Sequence, residues 1–268
     1  MIILEGVNKT FRHRPLFRWL GGERSGETCA LKDVSLHVTS GTVHVLLGPN
    51  GSGKTTLLKL VSTMLLPDRG RVLVAGWNTR THVAQVRKMV GFALSTERSF
   101  FPRLTARENL IFFATMDDVP RRERAGRVDD LLSLVGLASE SGMLVMKFST
   151  GMYQRLGIAR ALLKRPSVIL LDEATRSLDP ASATHLRRII RDLADSGATV
   201  LLATHSFQEA IFLGDEVSIL HRGAVAATRP LQGLTKDELR AFYFGLIGEP
   251  DEEADCAPGM REDYGCAV

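Results

Sequence analysis

The residues with the clearest chemical potential form the stretch GPNGSGKT at residues 48–55. The stretch matches the pattern G-x-x-x-x-G-K-[ST], in which Gly51 and Gly53 let backbone N–H groups turn toward phosphate oxygens. In this pattern the lysine, here Lys54, reaches the β- and γ-phosphates, and the hydroxyl of Thr55 is a Mg²⁺ ligand. An apolar strand-like run precedes the loop and a helix-like run follows it. The stretch therefore predicts a nucleotide site rather than a structural glycine turn.

Two adjacent carboxylates, Asp172 and Glu173, end the apolar run VILLDE. A lone carboxylate at the end of a buried strand is costly, but a Mg²⁺ ion held beside Thr55 would offset that cost. Glu173 is suited to orient and deprotonate a water, a role worth roughly a hundredfold to ten-thousandfold in rate. The alternative is a carboxylate pair that caps the next turn, and the phosphate loop makes that alternative the weaker one.

A second candidate anion site lies far downstream, in the stretch FSTGMYQRLGIAR at residues 148–160. Ser149 and Gly151 precede a run of helical character, and the N-terminus of a helix attracts anions. The same residues would also suit an ordinary helix cap. The sequence thus contains two helix starts of this kind. The second is either a separate anion site or an ordinary helix cap.

These groups must be positioned by elements that alternate between strand and helix. Continuous apolar runs predict strands covered on both faces, and segments of helical periodicity separate them. The predicted strands are residues 42–48, 70–76, 167–173 and 199–205, and the predicted helices are 54–65 and 180–196, the latter with Pro180 in its first position. Between residues 102 and 164 nearly everything is typical of helix, with Thr105 and Glu108 as a capping box. We therefore expect an α/β core with a helical subdomain inserted at about residues 98–164.

Composition narrows the classes of function. Hydrophobic residues make up 44% of the 268 residues, which is enough for a sizeable core. The net charge of +4, from 34 basic and 30 acidic residues, does not favour nucleic-acid binding. Three cysteines without C-x-x-C spacing argue against a metal or disulfide framework and fit a reducing cytoplasm. No run approaches the roughly 18 apolar residues of a spanning helix, so we expect any membrane link to come through a partner.

Two peripheral segments are less defined by their sequence. Residues 12–24 mix arginine with Phe17, Trp19 and Leu20. They suit either a solvated loop between two strands or a contact with lipid headgroups or a membrane partner, and both interpretations stay open. Residues 249–268 are acidic and are expected to be disordered, which leaves residues 1–248 as the folded domain.

Four stretches, in order along the chain, resemble the ATP-binding subunits of ABC transporters. They are GPNGSGKTT, the signature-like FSTGM, ILLDEATRSLDP and the ATH that ends at His205. The resemblance covers about residues 3–244. It implies a P-loop NTPase core with a mostly parallel sheet, an antiparallel β subdomain and an inserted helical subdomain. It also implies that the chain hydrolyses ATP, with Mg²⁺, at the cytoplasmic face of the cell membrane.

The same resemblance implies roles for individual residues. In this family two ATP-binding domains face each other head to tail, so Ser149 and Gly151 would bind the γ-phosphate of the partner's ATP. His205 would contact a γ-phosphate, and Asp179 would belong to the loop that links the two sites. Phe11 would stack on adenine, although it also suits the core. The residues expected at the nucleotide are Phe11, Gly48, Pro49, Asn50, Gly51, Ser52, Gly53, Lys54, Thr55, Thr56, Ser149, Gly151 and Asp179; the catalytic residues are Glu173 and His205, and the metal ligands are Thr55 and Asp172.

The chain also departs from the family pattern. The signature is usually L-S-G-G-Q, and three of its five residues are replaced here, by Phe148, Thr150 and Met152. Ala174 stands where a proline usually follows the second carboxylate. Ser95 or Thr96 stands where the family has a glutamine that reports ATP to the membrane subunit. The coupling of ATP hydrolysis to transport is therefore the expectation with the least support from the sequence.

Three hypotheses of function follow. The first is the energising ATPase subunit of a membrane exporter, because ERSFFPRLTARENL and STGMYQRLGIARALL resemble ATPases paired with ABC-2-type exporter permeases. Its expected partners are a second ATP-binding subunit, identical or a paralogue, and integral membrane permease subunits, without nucleic acid. The second is a soluble ABC-type ATPase that acts on ribosomes or DNA, although the chain shows no heptads and no strong basic stripe. The third is a non-hydrolysing ATP-binding module, against which Glu173 and His205 argue.

Overall fold

The alternating pattern of the sequence folds into two sheets with helices between and around them. The computed structural model describes residues 1–12, 26–94, 99–176 and 178–248. The strands are β1 (Ile2–Arg12), β2 (Glu27–Val38), β3 (Val43–Leu47), β4 (Arg69–Val74), β5 (Trp77–Asn78), β6 (Val90–Leu94), β7 (Val168–Asp172), β8 (Thr199–Thr204), β9 (Glu216–His221) and β10 (Ala224–Pro230). The helices are α1 (Lys54–Val61), α2 (Val83–Met89), α3 (Ala106–Met116), α4 (Arg121–Leu134), α5 (Thr150–Leu162), α6 (Pro180–Asp195), α7 (Phe207–Leu213) and α8 (Lys236–Ile247), with a short 3₁₀ helix, Val145–Lys147, before α5.

The larger sheet has six strands in the order β10-β9-β3-β8-β7-β6. The five strands from β9 to β6 pair in parallel, and β10 pairs antiparallel to β9 at one edge. Every residue of β3, β7 and β8 is buried, which is what strands covered on both faces require. The prediction of a mostly parallel α/β sheet is therefore confirmed.

The smaller sheet is antiparallel, in the order β2-β1-β4-β5. Helix α1 lies between the two sheets, because Leu57, Leu58, Leu60 and Val61 share one buried cluster with side chains from both of them. The opposite face of the larger sheet packs against the helices from α3 to α8 in a second cluster. The sequence segment 70–76 forms β4 and thus belongs to the antiparallel sheet that the resemblance implied.

Helices α3, α4 and α5 form a layer in the middle of the chain. The capping box at its start is present, since Thr105 Oγ1 accepts from the backbone N–H of Glu108 while the Glu108 carboxylate accepts from Thr105 N–H. Phe100 packs edge-on against Phe113 and Tyr153, which joins α3 to α5. The layer matches the expected helical content, but residues 135–149 form turns and the short 3₁₀ helix rather than α-helix.

Helix α1 is shorter than the sequence pattern predicts. It ends at Val61 rather than near Leu65. Ser62 caps its C-terminus, and Thr63 adopts a left-handed conformation with φ of 63°, which cannot continue a right-handed helix. Helix α6 begins at Pro180, as predicted, with Asp179 as its N-cap.

Two predictions concern segments that lie mostly or wholly outside the described residues. Of residues 12–24 only Arg12 is described, as the last residue of β1, and residues 249–268 are outside the description. Within the ranges that are described, no helix combines the length and the apolar character needed to cross a bilayer.

Candidate functional site

The phosphate loop connects β3 to α1 at the carboxyl end of the parallel sheet. Gly48 must be glycine because a Cβ there would lie 2.3 Å from the carbonyl oxygen of Leu220. Gly53 has a φ of 106°, and a Cβ would also meet the carbonyl oxygen of Ala30 at 2.7 Å. Because Gly53 is the N-cap of α1 and supplies no side-chain cap, the first N–H groups of the helix remain available to an anion.

This loop borders a cavity of about 440 Å³. Its lining includes Asn50, Gly51, Ser52, Gly53, Lys54, Thr55, Thr56, Asp172 and Glu173, together with Thr28, Cys29, Ala30 and Arg176. The structure thus brings the phosphate loop and the carboxylate pair together, as the sequence predicts. Gly48 and Pro49 lie just behind the loop, where their carbonyl oxygens accept from Lys54.

Lys54 is buried and hydrogen-bonded to its own loop. Its Nζ donates to the carbonyl oxygens of Gly48 at 2.7 Å and Pro49 at 2.9 Å. Burial lowers the pKa of Lys54, while the nearby carboxylates of Glu173 and Asp172 act in the opposite direction. The ammonium is therefore held at the loop by short contacts and lies close to both acids of the cavity.

Thr55 and Asp172 meet directly. The Thr55 hydroxyl donates to Asp172 Oδ2 over 2.8 Å, and burial is the main reason why the pKa of Asp172 is raised. A buried carboxylate and a hydroxyl are oxygen ligands of the type that Mg²⁺ prefers, and Mg²⁺ at nucleotide sites usually takes its other ligands from phosphates and water. No cluster of three or more His, Cys, Asp or Glu side chains suited to a metal occurs among the described residues. The pair therefore fits a Mg²⁺ ion that is held jointly by protein and nucleotide.

Glu173 follows β7 in an unusual backbone conformation. Its φ is 51°, in the left-handed region that costs a non-glycine residue about 1–2 kcal/mol. Three hydrogen bonds hold it there: its N–H donates to the Ala203 carbonyl, and its carbonyl accepts from Gln154 Nε2 and from the Arg176 N–H. The carboxylate is in this way directed toward the cavity from a fixed position.

Both carboxylate oxygens of Glu173 have cationic or polar partners. His205 Nδ1 lies 2.9 Å from Oε1, and an Arg176 N–H donates to Oε2 over 2.8 Å. Burial raises the pKa of Glu173, but the hydrogen bonds from His205 and Arg176 together outweigh it, so that the pKa is below its ordinary value. The structure thus brings together the two residues that were expected to be catalytic.

The signature-like stretch lies elsewhere. Ser149 is the N-cap of α5, and its Oγ accepts from the Met152 N–H at 3.2 Å. Among the residues that the structure describes, neither Ser149 nor Gly151 lines the cavity of the phosphate loop. In this single chain Ser149 serves as a helix cap, and an anion bound at the start of α5 would lie outside the cavity of the phosphate loop.

Asp179 and Phe11 are also placed outside that lining. Asp179 caps α6, where its Oδ1 accepts from the N–H groups of Ala181 and Ser182 at 3.0 Å. Phe11 is half-buried in β1 and is paired across the strand with Thr28, a residue that does border the cavity. Phe11 therefore lies next to the rim of the cavity.

The position of the missing glutamine lies outside the described residues. Ser95 and Thr96 follow Leu94, the last residue of β6, and are not described. Leu94 itself is paired in register with Asp172. The prediction that Ser95 or Thr96 contacts bound nucleotide through water stays a prediction.

Two residues of the site were missed from the sequence. Gln154 is buried on α5 and ties Glu173 to that helix. A polar side chain on the apolar face of a helix must find a partner, and that signal was present because Gln154 shares its face with Ile158 and Ala161. Arg176 had no such signal, since an arginine in a turn is usually solvated.

Comparisons with known proteins agree with this geometry. The sequence pattern of the ABC transporter family matches residues 31–176. The chain belongs to the ABC transporter ATP-binding family. Among its relatives in this family, the methionine import ATP-binding protein MetN of Thermobifida fusca is 40% identical over 80% of this chain and 67% of its own length. The daunorubicin resistance ATP-binding protein DrrA3 of Streptomyces coeruleorubidus is 38% identical over 82% of this chain and 67% of its own length.

A solved ABC cassette has the same fold. The dimeric ATP-binding cassette MJ0796, in a post-hydrolysis state bound to ADP and Pi, superposes with a TM-score of 0.77 at 28% identity, covering 87% of this chain and all of that one. The predicted fold class and family are therefore confirmed. As an ABC transporter ATP-binding subunit, the protein is an ATPase.

Proposed function

We propose that this protein is the ATP-hydrolysing subunit of an ABC exporter, in which it works with a second ATP-binding subunit and with membrane permease subunits. One observation carries the proposal. The phosphate loop, Asp172 and Glu173 share a single cavity, while the start of α5, which we expect to bind an anion, lies outside it. A chain arranged in this way contains one half of each of two ATP sites.

The described residues support a direct route for hydrolysis. Lys54 and the N–H groups at the start of α1 would bind the phosphates of ATP. Mg²⁺, when held by Thr55 and Asp172, would neutralise part of the charge on the phosphate oxygens. Glu173 would take a proton from the attacking water as the new bond to the γ-phosphorus forms and the bond to the departing ADP oxygen breaks. His205, which lies beside Glu173 in the structure, would then contact the γ-phosphate.

The second ATP-binding subunit would complete each site from across an interface. Ser149 and Gly151 would turn the start of α5 toward the γ-phosphate of the partner's ATP. The dimeric form of MJ0796 supports this arrangement. Two identical copies or one copy with a paralogue satisfy the same geometry, because each chain contributes a phosphate loop and a signature.

The direction of transport is inferred from the names of relatives and from two stretches of the sequence. A relative named for daunorubicin resistance supports outward transport, since removal of a drug protects a cell, whereas another relative is named for methionine import. The resemblance of residues 97–110 and 149–163 to ATPases of ABC-2-type exporters favours export. The membrane subunits would place the protein at the cytoplasmic face of the cell membrane.

Purification of the full chain from detergent-solubilised membranes tests the proposal. A tagged protein is expected to co-purify with an integral membrane protein in fixed stoichiometry, and the complex should hydrolyse ATP. The matched sample with Glu173→Gln should retain the membrane protein and lose the activity. Recovery of the chain with ribosomes or DNA, and without a membrane protein, would favour the soluble ATPase instead.

A further inference from the structure

Arg176 borders the cavity of the phosphate loop and is paired there with Glu173. Its guanidinium donates to Glu173 Oε2 over 2.8 Å, and the side chain is 61% exposed. It borders the same cavity as Lys54 and Thr55. The permanently charged guanidinium of Arg176 is thus hydrogen-bonded to one oxygen of Glu173, the proposed general base.

This ion pair presents a chemical conflict. With His205 on Oε1 and Arg176 on Oε2, both oxygens of Glu173 are engaged. A general base needs an oxygen within hydrogen-bond reach of the water that it deprotonates. Each carboxylate oxygen keeps a second lone pair for a water, but the guanidinium on Oε2 lowers the pKa of Glu173 and makes it a weaker base. Departure of Arg176 from Oε2 therefore favours hydrolysis.

We propose that Arg176 transfers from Glu173 to the γ-phosphate of ATP bound in the same chain, and that it stabilises the charge on that phosphate while Oε2 becomes available to the attacking water. The proposal deepens the proposed function and rests on it. Arg176 would then be a catalytic residue that acts in its own chain.

The energetic balance favours the transfer. An exposed ion pair contributes little to stability because water screens it, so the contact with Glu173 is easily given up. A guanidinium can bind two phosphate oxygens at once with charge-assisted hydrogen bonds, which are about twice as strong as neutral ones. The exposed side chain can also change rotamer without repacking a core. Arg176 should therefore bind the γ-phosphate of ATP more strongly than it binds the carboxylate of Glu173.

The test separates ATP from ADP, because only ATP carries the γ-phosphate. In the full chain with Glu173→Gln, which hydrolyses slowly and has no carboxylate to pair with, calorimetric titrations with Mg²⁺–ATP and Mg²⁺–ADP are compared with and without Arg176→Gln. We expect Arg176→Gln to weaken ATP binding about tenfold to a hundredfold, the usual worth of a hydrogen bond to a charged group, and to leave ADP binding unchanged. In the otherwise native chain, Arg176→Gln should lower kcat at least tenfold.

Two further variants sharpen the comparison. Arg107→Gln breaks a similar exposed ion pair, the one with Asp129 at 2.8 Å in the helical layer, and should leave the ratio of the ATP and ADP affinities unchanged. Ser149→Arg, added to the Glu173→Gln background, is intended to keep the chain monomeric. The effect of Arg176→Gln should persist in that monomer, since the contact is made within one chain.

Several results would overturn the inference. An unchanged ratio of ATP to ADP affinity in the Arg176→Gln variant would mean that the guanidinium does not reach the γ-phosphate. A higher kcat would mean that Arg176 only restrains Glu173, and loss of the effect in the monomer would place the contact in the partner's site. None of these results bears on the membrane partner, whereas failure of the proposed function would appear separately, as recovery of the chain without a membrane protein in the purification from detergent-solubilised membranes.

Discussion

At the level of single residues, one ammonium group and two carboxylates lie close together in a buried region of the site. Lys54, Asp172 and Glu173 are all buried around the cavity of the phosphate loop. Burial shifts the pKa of Lys54 down and that of Asp172 up, so each group prefers the charged form less than it would in water. Such a cavity is stabilised when a phosphate chain and a Mg²⁺ ion arrive with charges that match these side chains.

Lys54→Ala tests this charge arrangement. The change removes the ammonium that would face two phosphates, and we expect ATP affinity to fall about a hundredfold and hydrolysis to disappear. The fold should persist, because the hydrogen bonds of Lys54 within the described part of the chain go to carbonyl oxygens of its own loop. Binding of a fluorescent ATP analogue and phosphate release measure the two effects.

A matched control for this variant is Lys164→Ala. Lys164 donates to the carbonyl of Arg87 at the far end of α2 and borders other cavities than that of the phosphate loop. It should therefore leave nucleotide binding unchanged. Hydrolysis by Lys54→Ala at a rate near that of the native chain would place the active site elsewhere.

The sequence predicted most of the residues that line the cavity of the phosphate loop, but not all of their contacts. The pairing of Thr55 with Asp172 followed from the phosphate-loop pattern, because both residues end or follow strands at the same edge of a parallel sheet. The ion pair of Arg176 with Glu173 could not be predicted, since it depends on the left-handed turn at Glu173. The role of Ser149 beyond its cap depends on a second chain, which one sequence cannot place.

At the scale of elements, Gln154 joins two parts of the fold that have different tasks. It lies on α5, whose first residues are expected to grip the partner's ATP, and its Nε2 donates over 2.8 Å to the carbonyl of Glu173, after β7. The bond is buried, so its loss would leave the Glu173 carbonyl with one fewer donor in a region that water does not readily reach. A movement of α5 should therefore change the position of Glu173 in the same chain.

Gln154→Met should lower kcat without weakening ATP binding. Methionine has a similar length and no amide donor, so the left-handed turn at Glu173 loses one of its three hydrogen bonds. We expect kcat to fall about tenfold, which corresponds to about 1.4 kcal/mol, with little change in the Kd for ATP. Single-turnover hydrolysis and equilibrium binding separate the two quantities.

The control for Gln154 is its neighbour on α5. Arg155 donates to the carbonyls of Val135 and Gly136 within the helical layer. Its described hydrogen bonds do not include one to Glu173. Arg155→Met should lower the melting temperature and leave kcat nearly unchanged. An equal loss of stability in both variants with no loss of kcat in Gln154→Met would reduce Gln154 to a packing role.

The sheet itself contains a group whose titration affects stability. His44 in β3 is fully buried, and its Nε2 lies 2.8 Å from the Ser218 hydroxyl of β9. Burial, with a smaller effect from the charge of His37, lowers the pKa of His44 to about 4. The carboxylate of Glu216 lies 3.0 Å from Nδ1 and opposes this effect, but it is partly exposed, and the burial of His44 dominates.

The sign of the pH effect follows from where the proton binds. Between pH 4 and 6.5 the unfolded chain protonates His44 and the folded chain does not, so acid favours unfolding. His44 should cost up to about 3 kcal/mol of folding free energy as the pH falls through this window. Urea unfolding at pH 5.0 and 6.5 measures the effect, which should be smaller in His44→Gln; an equal pH dependence in that variant would assign it to other groups.

The ends of the helices and strands show which features the hydrophobic periodicity of the sequence can predict. The buried strands were predicted to within one residue at most ends, because short, mostly apolar runs in an α/β pattern leave little choice. The end of α1 was wrong, since the apolar pattern continues past Val61 while the left-handed turn at Thr63 ends the helix. A left-handed turn such as the one at Thr63 depends on tertiary contacts, and the hydrophobic periodicity of the sequence contains no information about those.

Across the whole molecule, the phosphate loop and the signature-like stretch lie in different places, and we expect a second chain to complete each ATP site. The phosphate loop and Glu173 lie around one cavity, and the start of α5 lies outside it. If bound ATP joins two such halves, it stabilises the dimer through γ-phosphate contacts that ADP cannot make. Hydrolysis would then release the two chains from each other.

The joining of two chains by ATP can be measured with the Glu173→Gln variant, by light scattering coupled to size-exclusion chromatography. The variant keeps the shape of the side chain and loses the base, so ATP should remain bound. The protein should run as a monomer without nucleotide and as a dimer with Mg²⁺–ATP, and Ser149→Arg should abolish the dimer by filling the γ-phosphate pocket while the monomer stays folded. A Glu173→Gln chain that stays monomeric at saturating ATP, or a dimer that survives Ser149→Arg, would contradict the account.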